Sequence, residues 1–121
     1  MGTTGKRVLL IDDEPDHVAT LAMLLIEAGH RVECATNALY AMDVARRFHP
    51  QFVFVDIGLQ YIDGYQAVRK LKERFKGARI FALTGRSGEE ARRKSLEAGF
   101  EEHLVKPVDV SVIEELLASP G

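Results

Sequence analysis

Val8-Leu9-Leu10-Ile11-Asp12-Asp13 is a run of four branched apolar residues that stops on two carboxylates, and Phe52-Val53-Phe54-Val55-Asp56 repeats the arrangement with one. Neither run alternates with polar residues, so each reads as a strand buried on both faces of a parallel sheet. Two further runs, near Arg79–Leu83 and His103–Val105, are followed by Thr84 and Lys106. In open α/β sheets ligands bind beyond the carboxyl ends of the strands. Asp12, Asp13, Asp56, Thr84 and Lys106 are therefore expected to meet at one rim.

Between these runs the periodicity changes to that of helices. Val18, Leu21, Ala22, Leu25 and Ile26 repeat at the spacing of one helical face, and Gly29 stops them. Ala38, Ala41, Met42 and Ala45 form a second stripe closed before Pro50, and Val68, Leu71 and Phe75 a third closed by Gly77. Ser87 with Glu90 three residues on is a capping-box pattern that opens a fourth, least apolar helix ending near Gly99. Its Arg92, Arg93 and Lys94 read as a solvated face that can also select a partner. A fifth helix runs from about Asp109 to the Pro120-Gly121 end, with Val112, Ile113, Leu116 and Leu117 expected inward. With a strand at Arg31–Ala35, five βα units result, implying right-handed crossovers and a parallel sheet covered on both faces. Pattern alone leaves the strand order open; an order of 2-1-3-4-5 puts strands 1 and 3 side by side at a switch point, with the three aspartates in one crevice.

A chain of 121 residues, 46% hydrophobic and 28% charged, has room for one domain, residues 1–121, with one core. Its net charge of −2 gives no electrostatic reason to expect nucleic acid as a partner. No apolar stretch approaches the roughly 20 residues that span a bilayer, and Met1 to Arg7 lacks the apolar segment of a signal peptide. The expectation is a cytoplasmic protein without membrane contact. The single Cys34, on a predicted strand, is expected to be small core filler. His17, His30 and His49 are placed at helix or loop surfaces, without a chemical role.

Three carboxylates in one crevice repel one another unless a cation neutralises them. A hard divalent ion suits the oxygen set, and Mg²⁺ typically takes one or two carboxylates while keeping waters and room for phosphate oxygens. The expected cage is Asp13 and Asp56 as direct ligands, Asp12 through water, and a backbone carbonyl just after Asp56, that of Gly58. Three carboxylates against Mg²⁺ and the Lys106 ammonium leave the site near neutral. An aspartate can also be a nucleophile, forming an acyl phosphate. Phosphoryl transfer depends on in-line positioning and on neutralising the equatorial oxygens, which suits the Thr84 hydroxyl and the Lys106 ammonium, a mobile point charge. Singly, each residue has a plainer reading: Asp12 and Asp13 as caps of the first helix, Asp56 as the start of a turn, Thr84 as a loop cap. Their conjunction at strand ends, in one chain order, favours a site.

These residues closely resemble the receiver domain of two-component response regulators. The marks are Ile11-Asp12-Asp13-Glu14-Pro15, the Asp56-Ile57-Gly58-Leu59 turn running to Asp63-Gly64, Ala82-Leu83-Thr84-Gly85, and Leu104-Val105-Lys106-Pro107. The resemblance covers nearly the whole chain. It implies a doubly wound (βα)5 flavodoxin-like fold of order 2-1-3-4-5, Asp56 as phosphoacceptor, Asp12 and Asp13 as the Mg²⁺ pair, and Thr84 and Lys106 as switch and signalling residues. It also implies a cis peptide between Lys106 and Pro107. The donor would be a phosphohistidine on a sensor histidine kinase or histidine phosphotransfer protein, and the signalling surface the face formed by the fourth helix, fifth strand and fifth helix. His103 stands where receivers commonly carry a tyrosine or phenylalanine that turns inward with the threonine. Either it packs and rotates as a phenol would, or its titration, intrinsically near about pH 6.5, enters the switch. Gln60 and Tyr61 stand where proline is common, and Gly58 and Arg86 where dephosphorylation is tuned. The stretch from Ala82 to Asp109 looks more like receivers of hybrid sensor kinases than like those of DNA-binding regulators.

Two rivals belong to other classes. Haloacid-dehalogenase-like phosphatases need a second aspartate two residues after the nucleophile, where this chain has Gly58. A pseudo-receiver, a protein-binding module without phosphorylation, usually loses part of the acidic site, which here is complete.

Overall fold

The computed structural model of the chain describes residues 5–57, 64–85 and 88–118, with the backbone alone of Pro15, His17 and Tyr65. Five strands alternate with five helices: β1 (Arg7–Ile11), α1 (Pro15–Glu27), β2 (Arg31–Ala35), α2 (Ala38–Phe48), β3 (Phe52–Asp56), α3 (Gly64–Arg74), β4 (Arg79–Thr84), α4 (Glu89–Ala98), β5 (His103–Val105) and α5 (Val110–Ala118). All pairings are parallel and the order is β2-β1-β3-β4-β5, so the expected doubly wound topology is present.

Alternation along the central strands feeds two cores. Leu9, Ile11, Val53, Val55, Ile80 and Ala82 point to the side covered by α2 and α3, where Val44, Val68 and Leu71 close over them. Val8, Leu10, Phe54, Phe81 and Leu83 point to the opposite side and meet Val18 and Leu25 of α1 with Ile113 and Leu117 of α5. Phe54 stacks on Phe81 with ring centroids 5.3 Å apart. With apolar partners on both faces, β3 is buried along its whole length, Asp56 included. A strand of this kind has only its carboxyl end for polar chemistry.

The helix boundaries have local causes. Proline opens α1, where its missing N–H costs nothing. The Asn37 side chain caps α2 by accepting the Tyr40 N–H at 2.8 Å. Gly99 ends α4 at φ 118°, a left-handed conformation that suits glycine. The N-cap of α4 is Gly88 at φ 108°, and Ser87 of the expected capping box lies outside the described residues. The Pro120-Gly121 end is likewise outside them.

Four burial expectations are corrected. Cys34 is exposed, because β2 is an edge strand and only Ala35 of its residues is fully buried. Ile26 and Val112 are exposed as well; each lies at the rim of an apolar stripe whose centre, Leu25 or Ile113, takes the core position. His30 is drawn inward, its side chain 8% exposed. Its Nδ1 accepts the Lys6 N–H at 3.0 Å, so Nε2 carries the proton and donates to Glu114 Oε1 at 2.9 Å. That ring ties the start of β1 to α5. His49 is exposed, as expected, at the left-handed C-cap of α2, and the His17 side chain is outside the described set.

Replacing Phe54 with alanine should lower the unfolding free energy by about 3–5 kcal/mol. Leu39→Ala, at a side chain 81% exposed, should change it by less than about 0.5 kcal/mol. Urea titrations of both variants check the pair, and a comparable loss at Leu39 would mean that the two cores are misassigned.

Candidate functional site

Parallel register brings the site together. Ile11 is level with Val55 across β1 and β3, so Asp12 and Asp56, the next positions on neighbouring strands, share the crevice where the sheet order reverses. Asp56 is level with Leu83, which puts Thr84 one step further along β4, and Thr84 is level with Val105 just before Lys106. Backbone bonds pin the strand ends: Ile57 N–H donates to Leu83 O at 3.0 Å, and Lys106 N–H to Thr84 O at 2.7 Å. The Lys106-Pro107 bond is cis, as expected.

The site is a set of carboxylates with one ammonium. Oxygens of Asp12, Asp13 and Asp56 lie within 4.8 Å of one another; Asp12 and Asp56 are buried and Asp13 half-buried. Lys106 Nζ donates to Asp56 Oδ2 at 2.8 Å and to Asp12 Oδ2 at 3.1 Å, while the other oxygen of Asp12 accepts the Glu14 N–H at 2.9 Å. Burial raises the Asp12 pKa above its ordinary value, and the neighbouring Asp56 charge adds to this against the Glu14 and Lys106 hydrogen bonds. Burial works against the charge of Lys106, but its bonds to Asp56 and Asp12 prevail and hold its pKa above the ordinary lysine value. Thr84 is buried at the end of β4 beside them.

The donor set fits a divalent ion. Ligands on opposite sides of one Mg²⁺ are about 4.2 Å apart, twice the usual 2.1 Å bond, so oxygens spread over as much as 4.8 Å suit an arrangement in which one carboxylate reaches the ion through water. The Gly58 carbonyl expected to complete the cage, and Gln60, Tyr61, Asp63 and Arg86, lie outside the described residues. An apolar groove of about 620 Å³ opens next to the site, between Leu21 and Leu24 of α1 and Pro107, Val108 and Val110 at the start of α5, with Lys106 in its wall.

His103 is buried with its ring against α4, where Nδ1 lies 2.9 Å from the Oγ of the fully buried Ser95. Ser95 escaped the reading of the sequence. Its signal is the spacing of Ala91, Ser95 and Ala98, an inward stripe of small residues at i, i+4 and i+7 on a helix that is otherwise polar except for the exposed Leu96. Arg92 and Arg93 are exposed, as expected, but each is paired, with Glu102 and Glu97 respectively. The plainer reading of Asp12 holds in part, since it caps a turn at Glu14; the N-cap of α1 is Glu14, without a side-chain cap bond.

The family model described as Response regulator receiver domain matches residues 8–118. The chain is 33% identical over 117 residues to the transcriptional regulatory protein PrrA of Mycobacterium bovis, covering 97% of this chain and 49% of PrrA. It is 26% identical over 110 residues to the sensor histidine kinase RcsC of Escherichia coli, covering 91% of this chain and 12% of RcsC. The chain thus spans about half of the regulator and a small part of the kinase. Among solved structures it is similar to a response regulator protein from Burkholderia pseudomallei with a phosphorylated aspartic acid, calcium ion and citrate, with a TM-score of 0.85 and 30% identity over 93% of this chain and 66% of that one.

Lys106→Met leaves two buried carboxylates facing each other. In the absence of divalent ions it should cost about 2 kcal/mol of stability at pH 7, less than the roughly 3–5 kcal/mol for breaking a fully buried pair because Lys106 is part-exposed. With its pKa raised, Asp12 binds a proton more readily folded than unfolded, so the loss should shrink as the pH falls through that raised value. Urea unfolding at pH 7 and pH 4.5 checks this, and a penalty that grows on acidification would contradict it.

Proposed function

The chain belongs to the response regulator receiver domains of two-component systems, and from that membership we propose that residues 1–121 act as one phosphoacceptor unit in which Asp56 takes a phosphoryl group from a phosphohistidine. The observation that carries this reading is the Lys106 ammonium held 2.8 Å from Asp56 with the oxygens of Asp12 and Asp13 alongside, all at strand ends next to Thr84. That is a carboxylate nucleophile with a cation already placed for the charge it would acquire.

In the proposed transfer a carboxylate oxygen of Asp56 approaches phosphorus opposite the departing imidazole nitrogen. The O–P bond forms as the N–P bond breaks, and the imidazole leaves with the bonding pair. Positioning and charge neutralisation are what the protein must supply in such a transfer. In this reading Lys106 would neutralise one equatorial oxygen, and the Thr84 hydroxyl would donate to a second. Asp12, Asp13, Asp56 and the Gly58 carbonyl would hold Mg²⁺, which when bound supplies electrophilic neutralisation of a third oxygen and of the acidic crevice. The Burkholderia response regulator, with its phosphorylated aspartic acid and calcium ion, supports this assignment by similarity.

The donor is read as a histidine-bearing partner, a sensor kinase or phosphotransfer protein, seated on the apolar groove between α1 and the start of α5. The groove shares Lys106 with the site, so a helix lying in it would present its histidine to Asp56. The phosphoryl group would then draw Thr84, Lys106 and the His103 ring into a second arrangement, changing the face made by α4, β5 and α5. The chain is not a turnover enzyme on this reading. Its chemistry is confined to gaining and hydrolysing its own phosphoryl group.

Incubation with Mg²⁺ and a small acyl-phosphate or phosphoramidate donor, followed by intact-mass analysis, should show a gain of one phosphoryl group. The gain should vanish in Asp56→Ala and with chelator, and Thr84→Ala should slow it by about tenfold or more. Absence of any gain, with Mg²⁺ failing to raise the melting temperature, would replace this reading with that of a protein-binding module without phosphorylation.

A further inference from the structure

Strand β2 ends the sheet on the side away from β4 and β5, and of its residues only Ala35 is buried. β1 receives the Arg31 N–H at Lys6 O and gives the Asp12 N–H to Ala35 O. Alternate residues of a parallel ladder bond to the same neighbour, so Val32 and Cys34 turn their N–H and C=O groups outward, where no described strand lies. An open edge of this kind is a template for pairing with another chain, and edges are commonly blunted by charge. β2 carries two charges, Arg31 and Glu33, but they are of opposite sign. Both are exposed, and among the described residues neither is paired with an opposite charge. The flank of α1 over this edge is apolar. Leu21 and Leu24 line the groove beside α5, and at about 100° per residue Met23 and Ile26 fall on the opposite flank, 61% and 54% exposed. Val32 and Cys34 share that face, being level with Val8 and Leu10 in the core under α1 and α5.

We propose that β2 is a self-association surface: two copies of the chain pair their β2 edges antiparallel about a two-fold axis at Val32, which joins the two five-stranded sheets into one. Charge selects that register. With Val32 opposite Val32 of the second copy, Arg31 of each chain stands opposite Glu33 of the other. These residues turn their backbone groups away from the partner, so they occupy the close positions, about 4.5 Å between Cα atoms, and two ion pairs form. A shift that sets Val32 opposite Cys34 puts Glu33 against Glu33, which is repulsive. A shift centred on Cys34 sets Glu33 against Ala35 and Arg31 against Asn37, and both ion pairs are lost. Because α1 lies over β1 and β2, the two α1 helices come within about 10 Å, two strand spacings, and Met23 and Ile26 reach their counterparts. The strands run in opposite directions, so the two acidic rims point away from each other. The groove between α1 and α5 stays open on each copy.

Nothing in this pairing depends on Asp56 or on a phosphoryl group, so its test is separate from that of the receiver reading. Sedimentation equilibrium of the full chain, from micromolar to millimolar concentration, should show monomer and dimer in exchange. Glu33→Arg and Arg31→Glu each replace two attractive pairs with two repulsive ones, and each should weaken the dimer by about tenfold or more. An equimolar mixture of the two variants should dimerise to within about threefold of the native affinity, because a wholly acidic edge then faces a wholly basic one. Mixing cannot rescue a variant that has lost its fold, so the recovery separates a lost interface from a damaged chain. A native chain that stays monomeric throughout, a dimer indifferent to both reversals, or variants that fail to associate when mixed would overturn the proposal.

Discussion

Asp12 and Asp56 are buried at the ends of adjacent strands, and the ammonium of Lys106 lies between them at 3.1 and 2.8 Å. Every other feature of the rim is arranged around that crowding of like charge. Two carboxylates this close, with a third alongside, are stable only beside positive charge, and a single lysine leaves the cluster net negative. That deficit is the electrostatic reason the donor set suits a divalent cation. The lysine directly follows a short strand and its N–H is bonded to Thr84 O, which ties the cation beside Asp56 to the ends of β4 and β5.

That arrangement follows from a sheet covered on both faces. β1, β3 and β4 spend their side chains on two cores, one under α2 and α3 and one under α1 and α5, and past Arg7 and Arg79 at the starts of β1 and β4 every side chain is apolar until the carboxyl end. Chemistry is displaced to the carboxyl edge, where the reversal of strand order between β1 and β3 opens a crevice. The same packing leaves α4 underprovided. The core under α2 and α3 draws on Ile80, Ala82 and Phe100 around it, but α4 itself gives that core only the half-buried Ala98. A hydroxyl, an imidazole and an exposed ion pair join it to its neighbours in place of such packing.

Legibility varied with how directly a residue's environment follows from its neighbours in the chain. The strands at Val8–Ile11 and Phe52–Val55 were plain because four consecutive apolar residues ending on a carboxylate have few other uses, and Thr84 and Lys106 followed from the same rule. Cys34 was misread because its strand looks like the others but lies at the sheet edge, a fact set by strand order and not by composition. Ile26 and Val112 were misread because helical periodicity marks a stripe but not where the stripe meets solvent. His30 looked like a loop residue, yet it closes a bond between Lys6 and Glu114, 24 and 84 positions away. Ser95 left almost no mark, since a serine in a charged helix is ordinarily a surface residue.

By itself, then, the chain order of residues determined the alternation of strand and helix, the identity of the rim residues and the resemblance to receivers, because each rests on local periodicity or on residues read at strand ends. Only the tertiary structure decided which strand is the edge, which faces of α1 and α5 reach water, and that His103 turns toward Ser95 instead of solvent. Those outcomes depend on what an element packs against. A helix or strand carries its own period in its sequence, but its partner is supplied by a segment elsewhere in the chain, and burial and hydrogen bonding are properties of the pair.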